Sequence, residues 1–148
     1  MSFDQSWKRP ESVLVVIYTL AGEVLLLERA APAGYWQSVT GSLDWGEEAG
    51  QAAVRELAEE TGLAADGLID RQDSHRFAIH PAWRARYAPD VVENTEHVFT
   101  LAVPDRVPVR LNHHEHSRYL WLPYDAALTQ VSSATNRAAI EAHVPGKH

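Results

Sequence analysis

Residues 41–63 read GSLDWGEEAGQAAVRELAEETGL, and this stretch decides the fold. From Glu47 to Thr61 there is one glycine, no proline and a preponderance of Ala, Glu, Leu and Arg, residues that cost little in a helix. Asp44-Trp45-Gly46 is turn chemistry. Gly62 suits the left-handed conformation that closes a helix, with Leu63 packing back as its apolar partner. The spacing predicts a loop running into a helix over Glu47 to Thr61. At about 100° per residue, Glu56, Glu59 and Glu60 fall within one arc of roughly 100°, and Ala49 and Ala52 leave room above it. Ala53, Val54, Leu57 and Ala58 occupy the neighbouring arc, which is apolar and is expected to face a sheet. Three like charges placed together repel, and a divalent cation supplies a reason to collect them. Mg²⁺ takes carboxylate oxygens and keeps waters for a phosphate substrate. Glu56 and Glu60, one turn apart, are the first-choice ligands, with Glu59 the third. Arg55 sits one turn before Glu59 and can hold it, and Glu47 can hold Arg55 from the loop.

Gly41, Glu47, Arg55-Glu56-Leu57, Glu59-Glu60 and Gly62-Leu63 resemble the Nudix box, G-x5-E-x7-R-E-U-x-E-E-x-G-U with U a bulky apolar residue, at every fixed position. That resemblance implies a compact α/β/α sandwich on a mixed sheet. It also implies hydrolysis of a diphosphate linked to another moiety, with Mg²⁺ or Mn²⁺ as cofactor and the Gly41 carbonyl as a further ligand.

The whole chain fits these expectations. Its 148 residues suit one domain, 1–148, with a core of useful size. The formal net charge of −7 argues against a nucleic-acid binder, which presents basic faces, and suits a site completed by a cation. There is no cysteine, hence no disulfide or thiol chemistry. No apolar run approaches a membrane span, and residues 1–11, read as an arm, lack a signal-peptide stretch. The expectation is a cytoplasmic enzyme acting on a small polyphosphate, with no membrane, nucleic-acid or obligate protein partner.

Along the chain, Ser12–Thr19 is an apolar β-branched run, the pattern of a strand buried on both faces. Ala21-Gly22 turns it into a second strand over Val24–Arg29, a hairpin. Tyr35–Thr40 is a short strand that delivers Gly41. Strands are also expected over Leu68–Ile79, Thr95–Val103 and Arg118–Leu122, with a brief one at Val109–Leu111. Pro81–Val92 reads as a mobile loop. Helices are expected over Tyr124–Gln130 and Ser133–His143, the latter offering Ala138, Ile140 and Val144 as an apolar face. Strands flanking one helix, with helices at the end, give a sandwich on a mixed sheet.

Several segments outside the box, Lys8-Arg9-Pro10, Arg29, Trp36 to Gly41, Arg86 to Pro89, Asn94-Thr95-Glu96 and Asn136-Arg137, resemble the branch of the Nudix family that hydrolyses dihydroneopterin triphosphate. This resemblance implies that Lys8, Arg29 and Thr40 touch the triphosphate. Phe77, Ala78, Ile79 and His80 would line the pterin pocket, and Ser133 would close one side. Glu115 would stand near the metal as a further ligand or as the base that deprotonates water, a role for which Glu59 is the other candidate. The products would be a monophosphate and pyrophosphate. His113 to His116 is a polar turn rather than a zinc site, since no HExxH or CxxC spacing accompanies it. Trp36 is the aromatic expected to stack on a flat ring. The competing functions are hydrolysis of another nucleoside polyphosphate, such as dATP or a dinucleoside polyphosphate, and a non-catalytic module that senses a nucleotide.

Overall fold

The computed structural model describes residues 7–146; most of the N-terminal arm lies outside them. The strands are β1 (Glu11–Thr19), β2 (Glu23–Arg29), β3 (Trp36–Gln37), β4 (Val39–Ser42), β5 (Leu68–Ala78), β6 (Glu93–Val103) and β7 (His116–Pro123). The helices are α1 (Ala49–Thr61), α2 (Tyr124–Gln130) and α3 (Ala134–His143). β1 is the spine. It pairs in parallel with β6 along its whole length, carries β4 antiparallel over Ser12–Val15, and meets β2 only near its end, at Tyr18 and Val24. β2 then diverges to pair with β3 and β7, and β5 lies antiparallel on the far side of β6. The sheet is therefore mixed, and it forks where β2 leaves β1.

Alternation along β1 sends Val13, Val15 and Ile17 to one face and Leu14, Val16 and Tyr18 to the other. The first face packs against Ala52, Ala53 and Leu57 of α1, and the second against Ala127 of α2 and Ala139 and Ile140 of α3. Each fully buried aliphatic side chain contributes roughly 1.5–3 kcal/mol, and β1, apolar on both faces, joins the two halves of the core. The expected α/β/α sandwich is present. Among the described residues no helix is long and apolar enough to cross a membrane.

Several local expectations need correction. Helix α1 starts at Ala49 rather than Glu47, because Glu48 is the N-cap, with Gln51 completing a capping box, while Glu47 is engaged by Arg55. Gly62 closes the helix at φ 74°, as expected. Val54 is 46% exposed and Ala58 is exposed too, so neither faces the sheet. Glu56 and Glu60 are buried in their place, because the Arg55 contacts and the close approach at Gly41 described below turn the helix that way. Tyr35–Thr40 is not one strand but leads into two, β3 and β4, which separate at Ser38. Pro81–Arg86 forms a 3₁₀ turn pinned at its end by the Lys8 amide on the Arg86 carbonyl at 2.8 Å; it is not a structureless loop. Val109–Leu111 forms no strand. Its Arg110 amide caps the Thr61 carbonyl at the end of α1 at 2.8 Å, and Val109 and Leu111 pack on the core. In α3 the core residue is Ala139, not Ala138.

Candidate active site

Strand β4 and helix α1 meet at Gly41. A methyl group there would lie 1.8 Å from Glu56 Oε2 and 2.7 Å from its Cγ. Only glycine lets the Glu56 carboxylate rest against this backbone. Gly41→Ala is therefore expected to displace Glu56 and weaken divalent-cation affinity about tenfold, with the helical circular dichroism kept. A Mn²⁺ titration checks this, and unaltered affinity would contradict the placement.

Arg55 organises the loop in front of the helix. Its Nε and Nη2 donate to Glu47 Oε2 at 2.9 Å and Oε1 at 2.8 Å, a bidentate pair, and Nη2 also donates to the Ser42 carbonyl at 3.0 Å. Nη1 donates to Glu56 Oε1 at 2.6 Å and reaches Glu59 Oε2 only at 3.5 Å. The expected grip of Glu47 on Arg55 is observed, but the carboxylate that Arg55 chiefly holds is Glu56. The Glu47 hydrogen bonds, first of all, raise the guanidinium above its usual range.

Glu60 is fully buried, and among the described residues neither of its carboxylate oxygens has a hydrogen-bond partner. Burial, then the adjoining Glu56 carboxyl and Glu115, pushes it well above the usual carboxylate range. Burial also raises Glu56. Glu115 and His116 offer ligand atoms that lie with one of Glu60 within 4.8 Å of one another. His116 Nδ1 is 3.8 Å from Glu60 Oε1, while Gln37 Nε2 lies 3.0 Å from its other ring nitrogen. Burial and then Arg29 lower His116 to about 4, so it is neutral near pH 7 and cannot balance Glu60. Two buried, adjoining carboxyl groups, of which only Glu56 has a cation beside it while both oxygens of Glu60 are orphaned, are costly alone and fit a hard divalent ion. Glu59 differs: its side chain is 53% exposed, and it stands at the rim, outside the Glu60–Glu115–His116 group.

In front of this acidic pair a cavity of about 890 Å³ opens. The metal, catalytic and polyphosphate- and pterin-contacting residues read from the sequence all line it except Glu60, which is fully buried beside Glu56. Besides Arg55, the cations on its wall are Lys8, Arg29 and Arg86. Burial, followed by Arg86 and Arg29, lowers the Lys8 ammonium below the usual lysine range. The Lys8 nitrogen lies 5.7 Å from the Tyr87 ring centre, and the Arg29 guanidinium lies 5.4 Å from that of Trp83. Thr40 faces the cavity, but its hydroxyl already donates to the Val13 carbonyl at 2.8 Å. Phe77, Ala78, Ile79 and His80 run along one wall, and Ser133, the N-cap of α3, stands opposite.

Trp36 is not a stacking surface. It is 5% exposed, packed in the core beneath α2 and α3 with Arg118 over its ring at 5.3 Å. The aromatic rings that do line the cavity are Tyr35, Phe77, Trp83 and Tyr87. Sequence reasoning assigned no role to His116, Asn94 or Glu96, all buried and all on the cavity wall. For Asn94 and Glu96 a signal existed: alternation through the strand puts both on the face of Val98, a core residue, where a carboxylate is out of place.

Comparison with known proteins agrees with this geometry. A NUDIX domain model matches residues 8–142. The dihydroneopterin triphosphate diphosphatase of Escherichia coli K12 is 44% identical over 146 residues, covering 95% of this chain and 96% of that protein. The protein of the same name from Haemophilus influenzae is 35% identical over 144 residues, covering 93% and 89%. The structure of the E. coli dihydroneopterin triphosphate pyrophosphohydrolase superimposes with a TM-score of 0.86, covering 93% of this chain and 97% of that one, at 44% identity. With its box folded as a loop and helix around two buried glutamates and a matching domain model over nearly its whole length, the chain belongs to the Nudix hydrolase family.

Proposed function

We propose that this enzyme hydrolyses dihydroneopterin triphosphate to dihydroneopterin monophosphate and pyrophosphate, using Mg²⁺, with Mn²⁺ able to replace it. The observation that carries the reading is a single cavity joining three kinds of wall: the acidic pair at Gly41, a cluster of cations, and a ring-lined recess by α3. A substrate with a triphosphate at one end and a flat heterocycle at the other suits all three. The 44% identity to a diphosphatase of that name, over almost the full length of both chains, supports the same choice.

Glu56, Glu60 and the Gly41 carbonyl would hold the cation, with Glu115 and His116 Nδ1 within reach. When bound, such an ion neutralises phosphate charge and acidifies a water. The chain supplies the rest. Lys8, Arg29 and Arg86 draw in and orient the polyphosphate, work that dominates phosphoryl-transfer catalysis. Arg55 fixes the Glu56 carboxylate so that the ligand set is in place before substrate arrives. We assign proton removal from the attacking water to Glu115 rather than Glu59, because Glu115 lines the cavity with a carboxylate oxygen within 4.8 Å of Glu60 while Glu59 is half-exposed at the rim.

The test is pyrophosphate release with Mg²⁺ from dihydroneopterin triphosphate, dATP, GTP and diadenosine polyphosphates, each repeated with Glu115→Gln. The pterin triphosphate is expected to give the highest kcat/KM, and Glu115→Gln to lower kcat by about 10²-fold with KM little altered. A higher kcat/KM for dATP or a dinucleoside polyphosphate would replace the substrate. A Glu115→Gln effect within about twofold would return the base to Glu59.

A further inference from the structure

At the α3 end of the cavity the floor is polar where the strand pattern calls for apolar side chains. Asn94 and Glu96 project from β6 on the same face as the core residue Val98. They are 4% and 6% exposed, and both line the cavity. Among the described residues Asn94 Oδ1 and Glu96 Oε1 have no hydrogen-bond partner. The amide nitrogen of Asn94 is committed to Ser12 Oγ at 2.8 Å, which leaves its oxygen as the free end. No cation forms an ion pair with Glu96 among the described residues, and burial, opposed by a hydrogen bond from Thr135, lifts its carboxyl to about 7. Two buried acceptor atoms, Asn94 Oδ1 and Glu96 Oε1, kept without donors are expensive. They lie two strand residues apart, about 7 Å along the chain, and Phe77 pairs with Asn94 across the ladder, so an aromatic wall adjoins them.

Acceptors arranged this way fit a ligand that brings adjacent N–H groups. We infer that Glu96 and Asn94 are the specificity residues of the cavity, reading the neighbouring ring N–H and amino group of a 2-amino-4-oxo-pyrimidine edge. Pterins and guanine carry this edge; adenine, cytosine and uracil do not present two such donors side by side. The inference deepens the substrate reading above and rests on it for the ring's place at the end of the cavity away from the acidic pair. A carboxylate accepting from two N–H donors makes charge-assisted bonds, the stronger class. A site built around such bonds rejects a ring lacking the donors, because its own buried groups are then left unpaired.

The experiment compares wild type and Glu96→Gln, a near-isosteric change outside the metal machinery. It measures kcat/KM with Mg²⁺ for dihydroneopterin triphosphate, GTP and ATP. It also measures binding of phosphate-free neopterin and adenosine in EDTA, by fluorescence. Glu96→Gln is expected to lower kcat/KM about 10²-fold for the first two substrates and to leave ATP within about twofold. It should weaken neopterin at least about tenfold without altering adenosine. Asn94→Ser, which withdraws the second acceptor without adding charge, is expected to shift the same ratios by about tenfold and carries the test should Glu96→Gln fold poorly. Equal losses on all three substrates, no loss, or unaltered neopterin binding would overturn the inference, as would a wild-type preference for ATP. A wild type that favours GTP over dihydroneopterin triphosphate, with that preference over ATP lost in Glu96→Gln, would sink the substrate reading and leave the ring-edge inference standing.

Discussion

Glu60→Gln is expected to cut turnover by at least about 10²-fold while leaving the fold intact. Glutamine keeps the shape, so Leu57, Thr61 and the rest of the buried stripe of α1 stay packed. What is lost is the charge that a cation would meet. The same substitution should make the metal-free protein more stable, since it removes a buried carboxyl adjoining Glu56 with no balancing cation. The sign follows from the direction of the shift. A carboxyl whose folded pKa is raised contributes stability below its unfolded pKa and loses it as pH rises through the folded one. The Glu60 contribution to the stability of the metal-free wild type should therefore fall as pH rises above about 4.5, and Glu60→Gln should remove that contribution, so that the variant gains on wild type as pH rises. Thermal unfolding in EDTA at several pH values, beside single-turnover rates in Mg²⁺, checks both halves. A Glu60→Gln enzyme with wild-type turnover would overturn the site assignment.

Arg55→Ala is the second large effect. Arg55 is 28% exposed at the side chain and bridges Glu47, Glu56 and the Ser42 carbonyl. Its removal leaves Glu47 without its bidentate partner and Glu56 free to leave the Gly41 backbone. Hydrogen bonds to charged groups contribute about 1.5–3 kcal/mol each when buried; with partial solvent access a loss of about 2 kcal/mol in stability is expected. Turnover should fall by about 10–100-fold with weaker cation affinity, the scale seen when a residue that orients ligands is lost. Arg55→Lys should restore stability better than activity, because an ammonium cannot form the paired bonds to Glu47. Wild-type turnover per folded molecule would reduce Arg55 to a structural role.

How much of this was legible depended on the kind of information each residue carries. The loop, helix, glycine closure and Glu47–Arg55 pair are local, and spacing alone describes them. The roll of α1 is not local. Val54 and Ala58 made an apolar arc as good as the one that is buried, and the rule that buried means apolar points away from Glu56 and Glu60. Only the contact at Gly41 and the bonds of Arg55 decide between the two. Trp36 precedes the box in sequence, yet its pairing with Glu28 on β2 turns the ring into the core under α2 and α3. The 3₁₀ turn at Pro81–Arg86 is held by the Lys8 amide from a segment over seventy residues away, a contact no window could reveal. The strand over Thr95–Val103, with Glu96 in it, was readable, but it begins at Glu93 and so takes in Asn94, and that its polar face floors a cavity depends on α3, which arrives from the end of the chain.

Thermal unfolding with and without Mg²⁺ or Mn²⁺ tests most directly the claim that the Glu56–Glu60 pair at Gly41 is a divalent-cation site. A cation at about 100 times its dissociation constant stabilises by about 2.7 kcal/mol, which for a domain of this size is a rise of roughly 5–10 °C in Tm. Wild type is expected to show that rise and Glu60→Gln to show little or none. A wild type unmoved by either metal, or a Glu60→Gln protein that rises as far as wild type, would contradict the claim.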